Sequence, residues 1–357
     1  MNKIVIIAEA GVNHNGELSL AKELIKVAAK SGADFVKFQT FDTDELVTKS
    51  ANQAPYQYKN SGIKESQYKM LKKLELSKKN FVSLKKECKK RGIGFLSTPF
   101  DLPSLKFLSQ DMNLHTIKIP SGEITNLELI LEASKLKRSL IISTGMANLE
   151  EIELALAAAA FGFSDSKQHI SVSSFKKAFL SRKGKMLLKR KVSLLHCTSN
   201  YPADPKDINL NAMKSLKEVF NLPVGYSDHS QGIEVSVAAA AMGAKIIEKH
   251  FTIDKNLPGP DHLASLNPEE LKDLVISIRN IEKALGDGIK IPKRSELTNK
   301  KIARKSIFAA KEIRKGEIIT REKLKVKRPE IGLRPSKIWD LIGSKAKKDY
   351  HIDEVFK

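Results

Sequence analysis

Short, uninterrupted apolar runs alternate with longer amphipathic stretches over the first four-fifths of the chain. Runs of strand length fall at residues 4–8, 35–38, 94–96, 116–119, 140–142, 192–195, 223–225 and 244–247, and most are rich in β-branched residues. Continuous apolar runs predict parallel strands covered on both faces, because a strand with one solvated face would alternate apolar and polar positions. Helical patterns lie between them. Asn148 with Glu151 three positions later has the spacing of a capping box and opens a helix predicted to run to Gly162. Asn267-Pro268 with Glu270 predicts another start, followed by Leu271, Leu274, Val275, Ile278, Ile281 and Leu285 along one face.

Eight strand–helix cycles predict a (β/α)8 TIM barrel. An open doubly wound sheet is the competing arrangement, but no Gly-x-Gly-x-x-Gly follows the first strand to support its dinucleotide-binding form. Two connections are unusually long. Residues 40–76 carry Tyr56, Tyr58 and Tyr68 and are expected as a lid-like excursion on the active face. Residues 163–191 precede the sixth strand and are expected on the opposite face, as a basic, partly helical elaboration. After Gly288 the pattern changes to short strands at 306–310 and 325–328, a Lys315-Gly316 turn and a short helix near Thr320. The expected organisation is a barrel over 1–286, a linker over 287–299 and a small β-rich domain over 300–357.

Charge narrows the partners. The net charge of +21 attracts anions. Its basic residues concentrate between Lys167 and Lys191 and after Lys290, with few interleaved aromatic residues that would stack on bases. A phosphorylated or carboxylated metabolite is therefore the expected partner, with no nucleic acid. No apolar run approaches the roughly 20 residues of a membrane span, and Glu9 interrupts the N-terminal apolar stretch where a cleavable leader would stay uncharged. A cytoplasmic protein without membrane association is expected. Two cysteines, Cys88 and Cys197, suit neither a disulfide framework nor a zinc cluster.

Barrel chemistry sits at the C-terminal ends of the strands, and here each such end is polar. Glu9 closes the first, Lys37 and Gln39 the second, Ser97 and Thr98 the third, and Lys118, Ser121 and Glu123 the fourth. Ser143 and Thr144 follow on the fifth, His196, Thr198, Ser199 and Tyr201 on the sixth, Ser227, Asp228 and His229 on the seventh, and Glu248, Lys249 and His250 on the eighth, with Asp261 beyond. Any one has a bland reading: lysines pair with carboxylates, hydroxyls cap helices, and a lone histidine is more often structural than a ligand. Eight polar ends in succession instead predict an enzyme for a multiply charged substrate. Lys37 and Lys118 with nearby hydroxyls suit a phosphate or carboxylate. His229 and His250, on adjacent strands, suit one divalent metal or a ligand with a supporting neighbour.

Eight segments carry a resemblance: EAGVNHNG (9–16), VKFQTF (36–41), FLSTPFD (95–101), IKIPSGE (117–123), ISTGM (142–146), LHCTSNYP (195–202), GYSDHS (225–230) and EKHFTIDKNLPGPDH (248–262). In this order they resemble the sialic acid synthase family, which includes N-acetylneuraminate and N,N'-diacetyllegionaminate synthases. ARKSIFAAKEIRKGE (303–317) and KRPEIGLRP (327–335) resemble the antifreeze-like SAF domain attached to those enzymes. The resemblance implies a domain-swapped homodimer that condenses phosphoenolpyruvate with an open-chain N-acetylated hexosamine and releases phosphate. N-acetylmannosamine would give N-acetylneuraminate; the alternative acceptor is 2,4-diacetamido-2,4,6-trideoxymannose, giving N,N'-diacetyllegionaminate.

By the same resemblance, Lys37, Thr98, Lys118, Ser121 and Ser143 hold phosphoenolpyruvate, with Ser199 and Ser227 as further substrate contacts. His229 and His250 ligate Mn2+, or Mg2+ or Co2+ in its place. Glu9, Tyr201 and Asp261 contact the amino sugar, Glu123 and Lys118 are the catalytic candidates, and Arg328 reaches over from the partner's SAF domain. Three departures stand out: Ser199 occupies a position that is asparagine in several members, Glu330 replaces a common glycine beside Arg328, and the 163–191 segment is longer than in compact members. The competing readings are an aldolase that forms a Schiff base on Lys118 and a polyanion-binding protein driven by the basic charge.

Overall fold

The computed structural model describes residues 3–357, and no helix among them is long and apolar enough to cross a membrane. The chain divides into two compact units, Met1–Gly286 and Asp287–Lys357. In the first, eight strands run parallel: β1 (Val5–Gly11), β2 (Phe35–Thr40), β3 (Gly94–Pro99), β4 (Thr116–Ile119), β5 (Ser139–Ser143), β6 (Val192–His196), β7 (Val224–Asp228) and β8 (Ile246–His250). Their hydrogen-bonded order is β3-β2-β1-β8-β7-β6-β5-β4. β3 and β4, the ends of this ladder, lie side by side and bring the sheet round into a nearly closed TIM-like barrel.

All eight apolar runs overlap these strands, three of them starting one or two residues early, and most of the strands continue past them into polar positions. Two cores result. The larger packs the outward-facing strand residues, such as Val36, Ile117, Ile142 and Leu194, against the helices. The smaller lies inside the barrel and consists of Ile7, Leu96, Ile141, Leu195 and Ile246.

The helix starts read from sequence have a clear physical basis. Asn148 Oδ1 accepts from Glu151 N at 2.9 Å while Glu151 Oε2 accepts from Asn148 N at 2.9 Å, opening the helix Leu149–Phe163. Asn267 and Glu270 exchange the same pair of bonds ahead of Pro268–Leu285. Residues 163–191 form two helices, Val172–Leu180 and Arg182–Lys191. The first packs on the preceding helix through an edge contact of Phe175 with Phe161, centroids 5.2 Å apart. The second ends beside the N-terminal ends of the strands, opposite the polar end.

The second unit has its own small core, including Ile307, Ile313, Ile319, Leu324 and Phe356. Its antiparallel pair is β9 (Ser306–Ala309) with β10 (Leu324–Lys327). The helix expected near Thr320 is one 3-10 turn, Arg321–Lys323. The segment read as a linker contains the start of a fully exposed helix, Arg294–Ala303, so the 299/300 boundary falls inside a helix. Residues 293–296 carry its cap, with Glu296 Oε2 accepting from Lys293 N at 2.8 Å.

Candidate active site

Inward positions on a parallel strand recur every second residue. Glu9, Lys37, Thr98, Lys118, Ser143, Ser227 and Glu248 therefore project from seven different strands into one space. Together with Ser121, Glu123, Ser199, Tyr201, His229, His250 and Asp261 they line a single cavity of about 620 Å³ at the C-terminal end of the barrel. Arg328 belongs to the second unit, where it is exposed just after β10.

The floor is a buried ladder of alternating charges. Lys37 Nζ lies 2.7 Å from Glu9 Oε2 and donates to Thr98 Oγ1 at 3.0 Å. Glu248 Oε1 accepts from Lys118 Nζ at 3.2 Å and from Ser227 Oγ at 2.8 Å, while Glu248 Oε2 lies 3.7 Å from Lys37 Nζ. Both lysines and both glutamates are almost wholly buried. Burial pushes the Glu9 carboxyl up to about 7 despite Lys37 beside it. Burial would raise Glu248 as well, but Lys118 and Lys37 together hold it down to about 2. Lys118 is lowered by burial, which Glu248 only partly offsets.

One side of this floor is a hydroxyl-rich cradle. Ser121 Oγ accepts from Gly145 N at 3.0 Å and sits 3.1 Å from Cys197 Sγ. A Cβ on Gly145 would stand 2.5 Å from Ser199 Oγ and 2.9 Å from Ser121 Oγ, so only glycine brings that backbone so close. Ser143 Oγ is buried there without a protein partner. Glu123 ends the 3-10 turn Ser121–Glu123 at the rim, where its Oε2 accepts from Asn126 Nδ2 at 2.7 Å.

Three aromatic rings stack on the opposite side. The Tyr201 ring lies 4.1 Å from the His229 ring and 4.9 Å from that of Tyr56. His229 and His250 have ring centroids 5.7 Å apart. His229 Nδ1 donates to the Thr198 carbonyl at 2.6 Å, which leaves Nε2 with a free lone pair. His250 Nδ1 is buried with no protein partner. Burial holds His229 down to about 4, and His250 is well below its ordinary value from burial and the neighbouring His229. Burial thus favours the neutral imidazole, the form that can ligate, at both. Gly11, at φ +52° in a bulge at the end of β1, makes room for the His250 ring: a Cβ there would approach His250 Cε1 to 3.2 Å. Among the described residues no three His, Cys, Asp or Glu side chains cluster at metal-binding spacing. His229 and His250 are the two imidazoles of the cavity that could hold a divalent ion.

Residues 40–76 cover this site. Leu46, Val47, Met70, Leu71 and Leu74 give the cavity an apolar wall, and Tyr56 and Gln57 extend it. Asn60 Nδ2 ties the segment down by donating to the carbonyls of Pro260 at 2.8 Å and Tyr201 at 3.2 Å. Asp261, buried beside Tyr56, has its carboxyl pushed up to about 6 by burial.

The residue that organises the floor, Glu248, stood among the polar strand ends in the sequence but was given no role there. Its signal was its place two positions before His250 on one strand, which puts both on the inner face. The lid residues carried no comparable signal, because an apolar helix face reads as core.

The NeuB family model matches residues 24–290 and the SAF domain model residues 304–357. The N,N'-diacetyllegionaminic acid synthase of Campylobacter jejuni is 49% identical over all of both chains. That of Legionella pneumophila is 47% identical, covering 95% of this chain and 89% of its own. Among solved structures, the N-acetylneuraminic (sialic) acid synthetase of Leptospira borgpetersenii in complex with citrate is 37% identical, with a TM-score of 0.66 over 84% of this chain and 90% of that one. With the family model spanning most of the barrel, the SAF model the terminal unit, and relatives at 49% and 47% identity, the chain belongs to the NeuB family of acid synthases and carries a SAF domain.

Proposed function

We propose that the enzyme condenses phosphoenolpyruvate with 2,4-diacetamido-2,4,6-trideoxymannose to give N,N'-diacetyllegionaminate and phosphate. The observation that carries the acceptor is the apolar wall of Leu46, Val47, Met70, Leu71 and Leu74 facing the polar floor. A deoxygenated sugar carbon and a second acetamido methyl suit such a wall, whereas the hydroxyls of N-acetylmannosamine would be desolvated against it. The two legionaminic acid synthases named above, at 49% and 47% identity, support the same choice over the N-acetylmannosamine reading.

In this reading Lys37 and Lys118 bind the anionic groups of phosphoenolpyruvate, with Ser121, Ser143 and the Gly145 amide around them. Glu9, Tyr201 and Asp261 hold the open-chain sugar, so that the methylene carbon of phosphoenolpyruvate and the aldehyde stand in reacting geometry. His229 and His250 would hold a divalent ion, which when bound supplies Lewis-acid polarisation of the aldehyde. As the methylene carbon bonds to the aldehyde carbon, the aldehyde oxygen takes up a proton; water then adds at the neighbouring, phosphate-bearing carbon and gives a proton to Glu123, and the bond from that carbon to the phosphate oxygen breaks to leave the ketone and phosphate. The lid segment limits water access while this happens.

The protein is further proposed to work as a homodimer, Arg328 of each SAF domain serving its partner's barrel. Arg328 is exposed and makes no ion pair among the described residues. The acceptor is tested by measuring kcat/KM with purified enzyme for both sugars at saturating phosphoenolpyruvate. A preference for the diacetamido sugar supports the proposal; a preference for N-acetylmannosamine reverses it.

A further inference from the structure

The barrel has a second cavity, at the opposite end. It measures about 280 Å³ and lies beneath the apolar plug of Ile7, Leu96, Ile141, Leu195 and Ile246. Each member of that plug stands two residues before a group of the catalytic cavity: Glu9, Thr98, Ser143, Cys197 and Glu248 in turn. One layer of side chains thus separates the two spaces, and they do not share a lining residue.

The lower cavity has the make-up of a ligand site. Its inner surface is apolar, from Val5, Phe35 and the plug residues Ile7, Leu96, Ile141 and Ile246. Thr116, Ser139 and Ser193 place hydroxyls at the first turns of three adjacent strands, and Lys189 and Arg190 stand exposed at the rim. The neighbouring Lys191 is already engaged, donating to the Lys137 carbonyl at 2.6 Å. No acidic side chain is among the described residues that line the space. An apolar cavity of roughly 150 Å³ is enough to admit benzene, and this one approaches the lower end of small-molecule pockets, about 300 Å³.

We propose that this cavity binds a small carboxylate with an aliphatic or aromatic body, the body against the plug and the carboxylate toward the hydroxyls, Lys189 and Arg190. A single charge suits the site, since a dianion would lose more hydration than two solvated cations return. The site is independent of the reaction proposed above, and its test measures binding alone.

The test titrates the full-length protein calorimetrically with hexanoate and benzoate, with hexanol and inorganic phosphate as controls for the body without the charge and the charge without the body. Saturable binding of at least one carboxylate is expected, and neither control should match it. Affinity should fall about tenfold in the Lys189→Glu/Arg190→Glu variant, whose changes are on the surface. It should survive Lys118→Met, which disables the upper cavity. The proposal is overturned if neither carboxylate binds, if hexanol binds as well as hexanoate, or if binding is lost with Lys118→Met and kept with the rim variant.

Discussion

Glu248 and Lys118 meet at 3.2 Å on the barrel floor, and the second oxygen of the same carboxylate lies 3.7 Å from Lys37. One glutamate thereby holds two ammonium groups that would otherwise repel each other at a buried anion site. Removing it should cost stability on the order of 3 kcal/mol, because two buried cations lose a shared counter-ion. An anion that replaces it should return much of that loss. Glu248→Gln is therefore expected to unfold at lower temperature, yet to gain more from added phosphoenolpyruvate than the wild type does. Equal thermal shifts in the two proteins would mean that Glu248 does not govern the lysines.

His229 and His250 present neutral imidazoles at the same cavity, one oriented by the Thr198 carbonyl and the other lacking a protein partner. With two imidazoles as the proposed ligands, each must matter. His250→Ala should weaken Mn2+ binding by about a hundredfold or more, measured by titration of the apoprotein. Because a smaller side chain there leaves the floor ladder intact, circular dichroism should remain that of the wild type. Unchanged Mn2+ affinity would remove His250 from the metal site.

A pH dependence follows from His14, which burial and the adjacent His262 hold down to about 4 from an ordinary 6.5. The unfolded chain therefore takes up a proton that the folded one refuses. The stabilisation is complete above about 6.5 and is lost as pH falls toward 4, on the order of 3 kcal/mol in total. Glu9 and Asp261 act with the opposite sign, since their raised values favour the fold at low pH and that benefit is lost as pH rises through about 6 to 7. The comparison of His14→Gln with wild type isolates the histidine. The variant's stability should fall less between pH 6.5 and pH 4; parallel curves would contradict the assignment.

Much of the barrel was legible because all eight apolar runs overlap strands. What the runs missed was consistent: β1, β2, β3, β5, β6, β7 and β8 all extend beyond them at the C-terminal end. Those extra residues include Glu9, Ser97, Thr98, Ser143, Ser227, Asp228, Glu248 and His250. A strand that ends in a polar cavity stops being apolar before it stops being a strand. The lid was harder to read, since Met70 and Leu74 bury themselves in a local cluster with Val12 and Phe41 as well as lining the cavity.

The proposed exchange of SAF domains can be separated from the chemistry by mixing two impaired proteins, assayed at sugar concentrations far below the raised KM of the arginine variant. Glu123→Ala should fold normally, losing one bond to Asn126, and should lose turnover by about two to three orders of magnitude. Arg328→Ala should lose activity chiefly through the KM of the sugar. In a swapped dimer, each mixed pair regains one site having both groups. After subunit exchange, an equal mixture should recover about a quarter of wild-type activity. No recovery would mean that both groups serve the same chain.

The synthase assignment is tested most directly by following inorganic phosphate from phosphoenolpyruvate in the presence of Mn2+, with and without 2,4-diacetamido-2,4,6-trideoxymannose. Phosphate should appear only with both substrates, in equal amount to a new nine-carbon 2-keto acid. Release without the sugar, or consumption of the sugar without phosphate, would contradict it.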